Sequence, residues 1–481
     1  MLALLSLAGY AALCLWMPLL PNYDRLPLAD VRTFSPSLAA GLLYGLLICG
    51  LFGLYGLAIA DMQQGERPFP LRHILLTTAL FSLPLLFTYP INATDIYRYV
   101  IGGRTVSLYG ESPFTTPPAG LPDDDPYAIY AGEWMDATSA YGPVWEMTAA
   151  VITSLSGDNL LLGLLMFKGV AALLHLAITV LIWQLLAGQE TAVRARLTLL
   201  WAWNPALLLI FIVDGHNDAL MLFWLLLGAW ALRRGHPLAG LLLMVLAPLT
   251  KFIGLLPLPF FFLSAWQQTP ELRAKVRLLG GTAVGGLFLL FVTFLPFGSP
   301  VAYVQRLLYE ATGVPGFSLA VLNFYLADLL GAPPSSTLLY GVGGFLMVLA
   351  VAIGLWLLWQ AKNGRSPNRS AADIFGLYIA QALSFRIWYA AWPFPWLLLD
   401  EADTQRPHSL STPSSRLQIG LWFLFTSQLS VLIYGHLRAY ALGGSSLLAH
   451  LIGVPFTFGL PLLIAWRSIS SRAVVSSNRI P

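Results

Sequence analysis

Charge is what this sequence has least of. Only 10% of its 481 residues are Asp, Glu, Lys or Arg, against roughly a quarter in an ordinary soluble domain, so a water-exposed globular surface is excluded. The net charge of +3 is too small for a nucleic-acid partner. Cysteine is nearly absent as well. Cys14 and Cys49 are the two in the chain; both lie inside apolar runs without disulfide or metal-ligand spacing, and read as small hydrophobes. There is no low-complexity tract, no insert of soluble-domain size and no internal repeat.

What fills the sequence instead is hydrocarbon, with 57% of the residues hydrophobic. Apolar runs of roughly 17 to 25 residues, enough to cross about 30 Å as helices, recur along its length. The fold class expected is all-α: a polytopic transmembrane bundle of about 12 to 14 helices forming one integral membrane domain over residues 1–481. Residues 1–20 lack a basic n-region and a small-residue cleavage site, and are read as a retained signal anchor.

The connecting segments fall into two classes. Short basic or mixed ones, at 61–73, 189–196, 233–236, 267–277, 362–369, 400–416 and from Arg467 onward, are placed in the cytoplasm by the positive-inside rule. Aromatic, proline-rich ones, at 21–36, 91–141 and 298–336 with turns at Asp214 and His436, are placed outside. Parity adds a sharper expectation. His236 and Gln267 fall on the same side with about 30 apolar residues between them, too many for one untilted crossing. A hairpin of two short helices is predicted there, turning at Pro248-Leu249-Thr250-Lys251, and a second over 372–399 around Arg386, Trp388 and Tyr389. Counted this way there are about 14 crossings, with both termini cytoplasmic in the cell membrane.

Polar chemistry then gathers at the predicted outer ends. In Asp95-Ile-Tyr97-Arg98-Tyr99, the spacing i, i+3, i+4 puts Asp95, Arg98 and Tyr99 on one helix face. An interfacial Asp–Arg pair with belt tyrosines is the competing explanation. The same segment continues with an ordered-looking run of aromatics and turns: Tyr109-Gly110-Glu111-Ser112-Pro113-Phe114, the triplet Asp123-Asp124-Asp125, and Tyr141-Gly142-Pro143-Val144-Trp145. A second outer turn carries Asp214-Gly215-His216-Asn217-Asp218. Turn geometry accounts for Asp, Gly and Asn but less well for His216. No further His or Cys stands at ligand spacing, so no metal is assigned and no cofactor is required; a divalent metal is the less favoured option. Three cations, Lys251, Arg386 and Arg438, face outward by topology, where a phosphate at headgroup level is a natural partner and snorkelling to lipid headgroups the bland one. Lys168 and His175, seven residues apart on one helix, read as interior polar contacts without an assigned role.

These motifs resemble the GT-C superfamily of membrane glycosyltransferases, in particular the bacterial polyprenol-phosphate-mannose-dependent mannosyltransferases. The resemblance rests on Asp95-Ile-Tyr97-Arg98-Tyr99 with Gly103-Arg104 and Tyr109-Gly110, Tyr141-Gly142-Pro143-Val-Trp145, Asn204-Pro205, Gly215-His216-Asn217-Asp218-Ala219 and Leu249-Thr250-Lys251-Phe252. Ser112-Pro113-Phe114 departs from the usual Asn-Pro-Tyr, and Asp214 from a small or amide residue. The resemblance implies a hexosyltransferase that moves mannose or another hexose, with inversion, from a polyprenyl-phosphate donor to a lipid or glycan acceptor on the extracytoplasmic side. An acid of the 91–141 segment would serve as base, and Asp95 fits that role. Lys251, Arg386 and Arg438 are the candidates for the donor phosphate. Tyr97, Arg98, Arg104, Tyr141, Trp145, His216, Asn217 and Asp218 are the candidate substrate-binding residues. A transporter or lipid flippase, with charge at mid-bilayer and symmetric broken helices, is the main alternative. A non-catalytic subunit of envelope glycan assembly is the second.

Overall fold

The computed structural model describes residues 1–64, 69–311, 316–322, 325, 331, 336–404 and 413–467. Among them the ordered elements are helices, and an isolated antiparallel bridge joins Pro18 and Thr88. The polytopic helical bundle expected from composition is borne out. Among the described residues six helices are long and apolar enough to cross a membrane: Leu38–Met62, Leu160–Leu185, Leu272–Phe294, Gly343–Lys362, Ser415–Tyr440 and Ser446–Arg467. A seventh is the bent pair Thr191–Ala202 and Pro205–Val213, with a 44° angle between its halves. Asn204 and Pro205 make the bend: Pro205 has no N–H to give the preceding turn, and the Asn204 side chain caps the next helix through Ala206 N–H at 3.0 Å.

The difference from about 14 crossings lies in the remaining apolar helices, which are short. Leu2–Trp16, Leu71–Leu86 and Pro237–Thr250 have 15, 16 and 14 residues, a rise of about 21 to 24 Å against about 30 Å of hydrocarbon. Both sequence-predicted hairpins break where charge and proline interrupt the apolar run. Helix Pro237–Thr250 stops at Lys251, whose backbone is extended (φ −150°, ψ 121°), and after a short turn Leu258–Gln268 follows. Helix Pro367–Gln381 likewise stops before Arg386, which precedes the turn Ile387–Ala391 and the helix Phe394–Thr404.

The chain forms two compact units. The first comprises Met1–Phe34, Phe69–Ala187 and Thr198–Gly313. Its centre is the helix Asp218–Arg233, the turn before it and the π-helical turn Leu209–Val213, where consecutive side chains from Leu207 to Val213 are all buried. Residues 91–141 fold onto this unit with the helix Asp95–Ser107 and two short turns, at Pro118–Gly120 and Ala128–Trp134. Phe114 anchors the segment in an aromatic cluster with Phe294, Phe297 and Tyr303.

The second unit comprises Ser35–Pro68, Gly188–Leu197 and Val314–Pro481. Arg416 bridges Asp373 and Asp400 in it, at 2.6 and 3.0 Å, and His436 meets the Ser35 hydroxyl at 2.8 Å. Most of the segment 312–335, the tail beyond Arg467 and residues 405–412 lie outside the described residues.

Candidate active site

Two carboxylates of the first unit stand at helix starts. Asp95 opens Asp95–Ser107 and Asp218 opens Asp218–Arg233, where the unpaired N–H groups and helix dipole favour negative charge. They differ in exposure: Asp218 is fully buried and Asp95 half-buried. Asp95 Oδ1 accepts a 2.8 Å hydrogen bond from the Tyr141 hydroxyl. The Tyr141 ring packs edge-on against Tyr99 and has the Lys251 ammonium 5.9 Å and the Arg98 guanidinium 5.6 Å from its centroid. Lys251 is held by Asp218, its Nζ lying 2.9 and 3.0 Å from the two carboxylate oxygens, and His216 Nδ1 is 3.7 Å from Asp218 Oδ2.

Two glycines make these approaches possible. Gly215 has φ +69°, and a Cβ there would fall 2.7 Å from the Ile96 side chain, so the turn can press against the start of the Asp95 helix. At Gly142 a Cβ would fall 2.1 Å from the Leu249 carbonyl oxygen. Its N–H donates to Thr250 O at 2.9 Å, which sets Tyr141 beside Lys251.

A third layer fixes the frame. The fully buried Lys168 ammonium donates to the carbonyls of Thr88 (2.6 Å), Val213 (2.5 Å), Ile212 (3.3 Å) and Leu85 (3.4 Å). The adjoining Asp214 accepts from the backbone and side-chain N–H groups of Asn92, at 3.1 and 3.2 Å. Asp214 thus ties the His216 turn to the chain three residues before Asp95. Lys168, without a role from sequence, is the post on which that turn hangs; its partners are backbone carbonyls, which leave no signature in a sequence.

The electrostatics follow from burial. Burial lowers the His216 imidazole to about 4, with Lys251 reinforcing and Asp95 and Asp218 opposing, so at neutral pH the ring is an uncharged hydrogen-bonding group. Both polar atoms of the buried Asn217 amide lack a hydrogen-bond partner among the described residues, a cost a buried amide carries unless something else binds it. Among the described residues no group of three or more His, Cys, Asp or Glu is arranged to hold a metal ion.

Not every sequence-predicted residue joins this cluster. Tyr97 points off the Asp95 face, donating to the Tyr23 carbonyl at 2.8 Å and stacking on Tyr130. Arg104 is spoken for by Asp125 (3.2 and 2.9 Å) and Asp158 (2.7 Å), with its guanidinium over the Tyr127 ring. Trp145 is buried behind Tyr99 at 4.8 Å between centroids. Of the three candidate phosphate cations, the first unit holds Lys251. Arg386 and Arg438 belong to the second, both exposed, Arg438 donating to the Gly444 carbonyl at 3.1 Å. Sequence reasoning missed Glu146, a buried carboxyl one helical turn beyond Tyr141; its only signal is an acid early in an otherwise apolar helix.

These features define a multi-pass membrane protein with a carboxylate–tyrosine–lysine–histidine cluster gathered at two helix starts. More particularly, residues 5–267 match the family described as alpha-(1->6)-mannopyranosyltransferase, N-terminal domain, and the chain belongs to that family. All the clustered residues fall within the match. The chain is 26% identical over 343 residues to alpha-(1->6)-mannopyranosyltransferase A of Mycobacterium tuberculosis, covering 66% of this chain and 63% of that protein. It is 23% identical over 386 residues to a probable alpha-(1->6)-mannopyranosyltransferase of Mycolicibacterium smegmatis, covering 71% and 67%. To alpha-(1->6)-mannopyranosyltransferase A of Corynebacterium glutamicum it is 27% identical over 180 residues, covering 37% and 36%. The resemblance drawn from the motifs is thereby borne out at the level of the family.

Proposed function

We propose that the protein is a membrane mannosyltransferase that moves mannose from a polyprenyl-phosphate donor to a hydroxyl of a lipid or glycan acceptor, on the extracytoplasmic side, with both termini cytoplasmic. The observation that carries the reading is the half-buried Asp95 carboxylate at a helix start, bonded to Tyr141, whose ring also faces Lys251. A carboxylate able to act as base and a cation thus both meet one tyrosine.

In the reaction the acceptor oxygen attacks the anomeric carbon and its proton passes to Asp95, which needs only hydrogen-bond reach. The bond from the anomeric carbon to the phosphate oxygen breaks and leaves polyprenyl phosphate, whose developing charge Lys251 stabilises in a site poor in water. Asp218 orients Lys251, and neutral His216 and the Asn217 amide supply hydrogen bonds to the sugar or phosphate. A phosphate is a good leaving group, so no acid is required on that side. The relatives' names specify an α-(1→6) product; a single inversion reaches an α linkage from a β-linked donor, and position 6 is a primary hydroxyl.

Reconstitution in proteoliposomes with radiolabelled polyprenyl-phosphate mannose tests the class of activity. The expected result is label covalently attached to the acceptor. Movement of intact donor across the bilayer without incorporation is the flippase outcome, and neither incorporation nor movement is that of a non-catalytic subunit.

A further inference from the structure

A base able to take a proton from a sugar hydroxyl takes one from water as well. Asp95 is half-buried at its helix start, so a water hydrogen-bonded to it while donor is bound is a competing nucleophile. The product of that competition is free mannose. Asp95 Oδ1 is already occupied, however. It accepts from the Tyr141 hydroxyl at 2.8 Å, and a phenol O–H donating to this carboxylate does what an acceptor O–H must do there before it attacks. The same ring has the Lys251 ammonium 5.9 Å from its centroid, so one side chain meets both the base and the cation that the reacting sugar has to meet.

The attachment of Tyr141 suits a side chain that yields its place. Its own N–H donates to Ser139 Oγ at 3.1 Å, and the N–H of Gly142 donates to the Thr250 carbonyl at 2.9 Å. The backbone is thus pinned on both sides of the Tyr141 Cα wherever the ring points. Edge-on to that ring, at 5.1 Å between centroids, stands Tyr99, four residues beyond Asp95 on the same helix face. Tyr99 is 2% exposed, and its hydroxyl has no hydrogen-bond partner among the described residues. A hydroxyl left so carries a cost that an incoming hydroxyl-bearing ligand relieves.

We infer that Tyr141 is a specificity-determining residue that separates transfer from hydrolysis: its hydroxyl keeps the acceptor's place on Asp95, holds water off, and gives way to the acceptor's attacking hydroxyl. The inference rests on the transferase reading. In the reaction that Tyr141 suppresses, a water oxygen attacks the anomeric carbon and its proton passes to Asp95. The bond to the phosphate oxygen breaks, leaving free mannose and polyprenyl phosphate. An acceptor sugar brings further hydroxyls and so displaces the phenol with binding energy that a single water lacks.

Polyprenyl-phosphate mannose labelled in the sugar, given to proteoliposomes that hold wild-type or Tyr141→Phe protein without acceptor, tests this through the free mannose released. The substitution keeps the ring and opens Asp95 Oδ1 to water. Hydrolysis is expected to rise about tenfold, the worth of one hydrogen bond to a charged group, and to lose that rise when Asp95→Asn is added. KM for octyl α-mannoside is expected to fall, because the acceptor no longer displaces a phenol. Hydrolysis that stays unchanged, or drops in step with transfer, overturns the inference. Because the variant can fail to fold, protein carrying 3-fluorotyrosine at position 141 is also followed by fluorine NMR. Octyl α-mannoside should shift that resonance, and its 6-deoxy analogue, which lacks the attacking hydroxyl, should not; a resonance that neither moves, or that both move equally, overturns the inference. Wild-type protein that transfers no mannose sinks the transferase reading and this inference together. Transfer without the rise in hydrolysis sinks this inference alone.

Discussion

Lys251 and Asp218 form a bidentate ion pair in the first unit, Nζ lying 2.9 Å from one carboxylate oxygen and 3.0 Å from the other, with Asp218 fully buried. Attraction in a buried pair is offset by the cost of removing both charges from water, and the larger penalty comes when one partner goes. Asp218→Asn is therefore expected to destabilise by about 3 kcal/mol or more. Pairing it with Lys251→Met should cost less than that single change. Thermal unfolding of the purified protein in detergent measures both. The single variant should also raise KM for the donor, because Lys251 loses its orienting partner.

Lys168 has four carbonyl partners and a wholly buried side chain. Lys168→Met keeps the bulk and removes the donors, leaving carbonyls unsatisfied at a cost of roughly 1 to 3 kcal/mol for each that stays buried and unpaired. A lowered unfolding temperature is expected. Hydrogen exchange should rise at 209–218, the turn that Lys168 and Asp214 hold against Asn92, before it rises elsewhere.

Two buried groups pull the pH dependence of stability in opposite directions. His216, held at about 4 by burial against an ordinary 6.5, contributes stability that is fully present above 6.5 and lost as pH falls toward 4. Glu146, raised by burial to about 7 from 4.5, contributes stability that is present below 4.5 and lost as pH rises toward 7. The slopes oppose each other across about pH 4.5 to 6.5, so the wild-type unfolding temperature should vary little there on their account. Glu146→Gln should leave stability falling with acid, and His216→Gln should leave it falling with base. Identical profiles for the two variants would contradict the assignments.

The segment 91–141 has its own pin. Asp125 is buried; although burial alone would raise its carboxyl, bonds from the Tyr109 hydroxyl, the Tyr127 N–H and Arg104 hold it below the usual carboxylate range. Asp125→Asn removes the charge that answers Arg104. Limited proteolysis should then cut within 109–139 at least several times faster, with little change in the apolar helices.

Much of this arrangement is legible in the amino-acid sequence, and the illegible part has a physical reason. Runs of apolar residues announce the helices, and the parity of basic segments locates the breaks at Lys251 and Arg386, because a charge is costly inside hydrocarbon wherever it lacks a partner. Asp95, Arg98 and Tyr99 share a face through helical periodicity alone, and the same periodicity carries Tyr97 away to Tyr23 and Tyr130. Arg104 was legible as a charge but not as a clamp, since Asp125 and Asp158 stand 21 and 54 residues distant. Glu146 and Lys168 are held by a hydroxyl and by backbone carbonyls, neither of which has a spacing rule.

The most direct test of the central claim is single-turnover transfer of radiolabelled mannose from polyprenyl phosphate by wild-type, Asp95→Asn and Asp95→Glu proteins that bind donor equally. With Asp95 as the base, the amide should reduce the transfer rate by at least a hundredfold without changing donor affinity, and Glu should restore part of it. Transfer by Asp95→Asn at the wild-type rate would contradict the account.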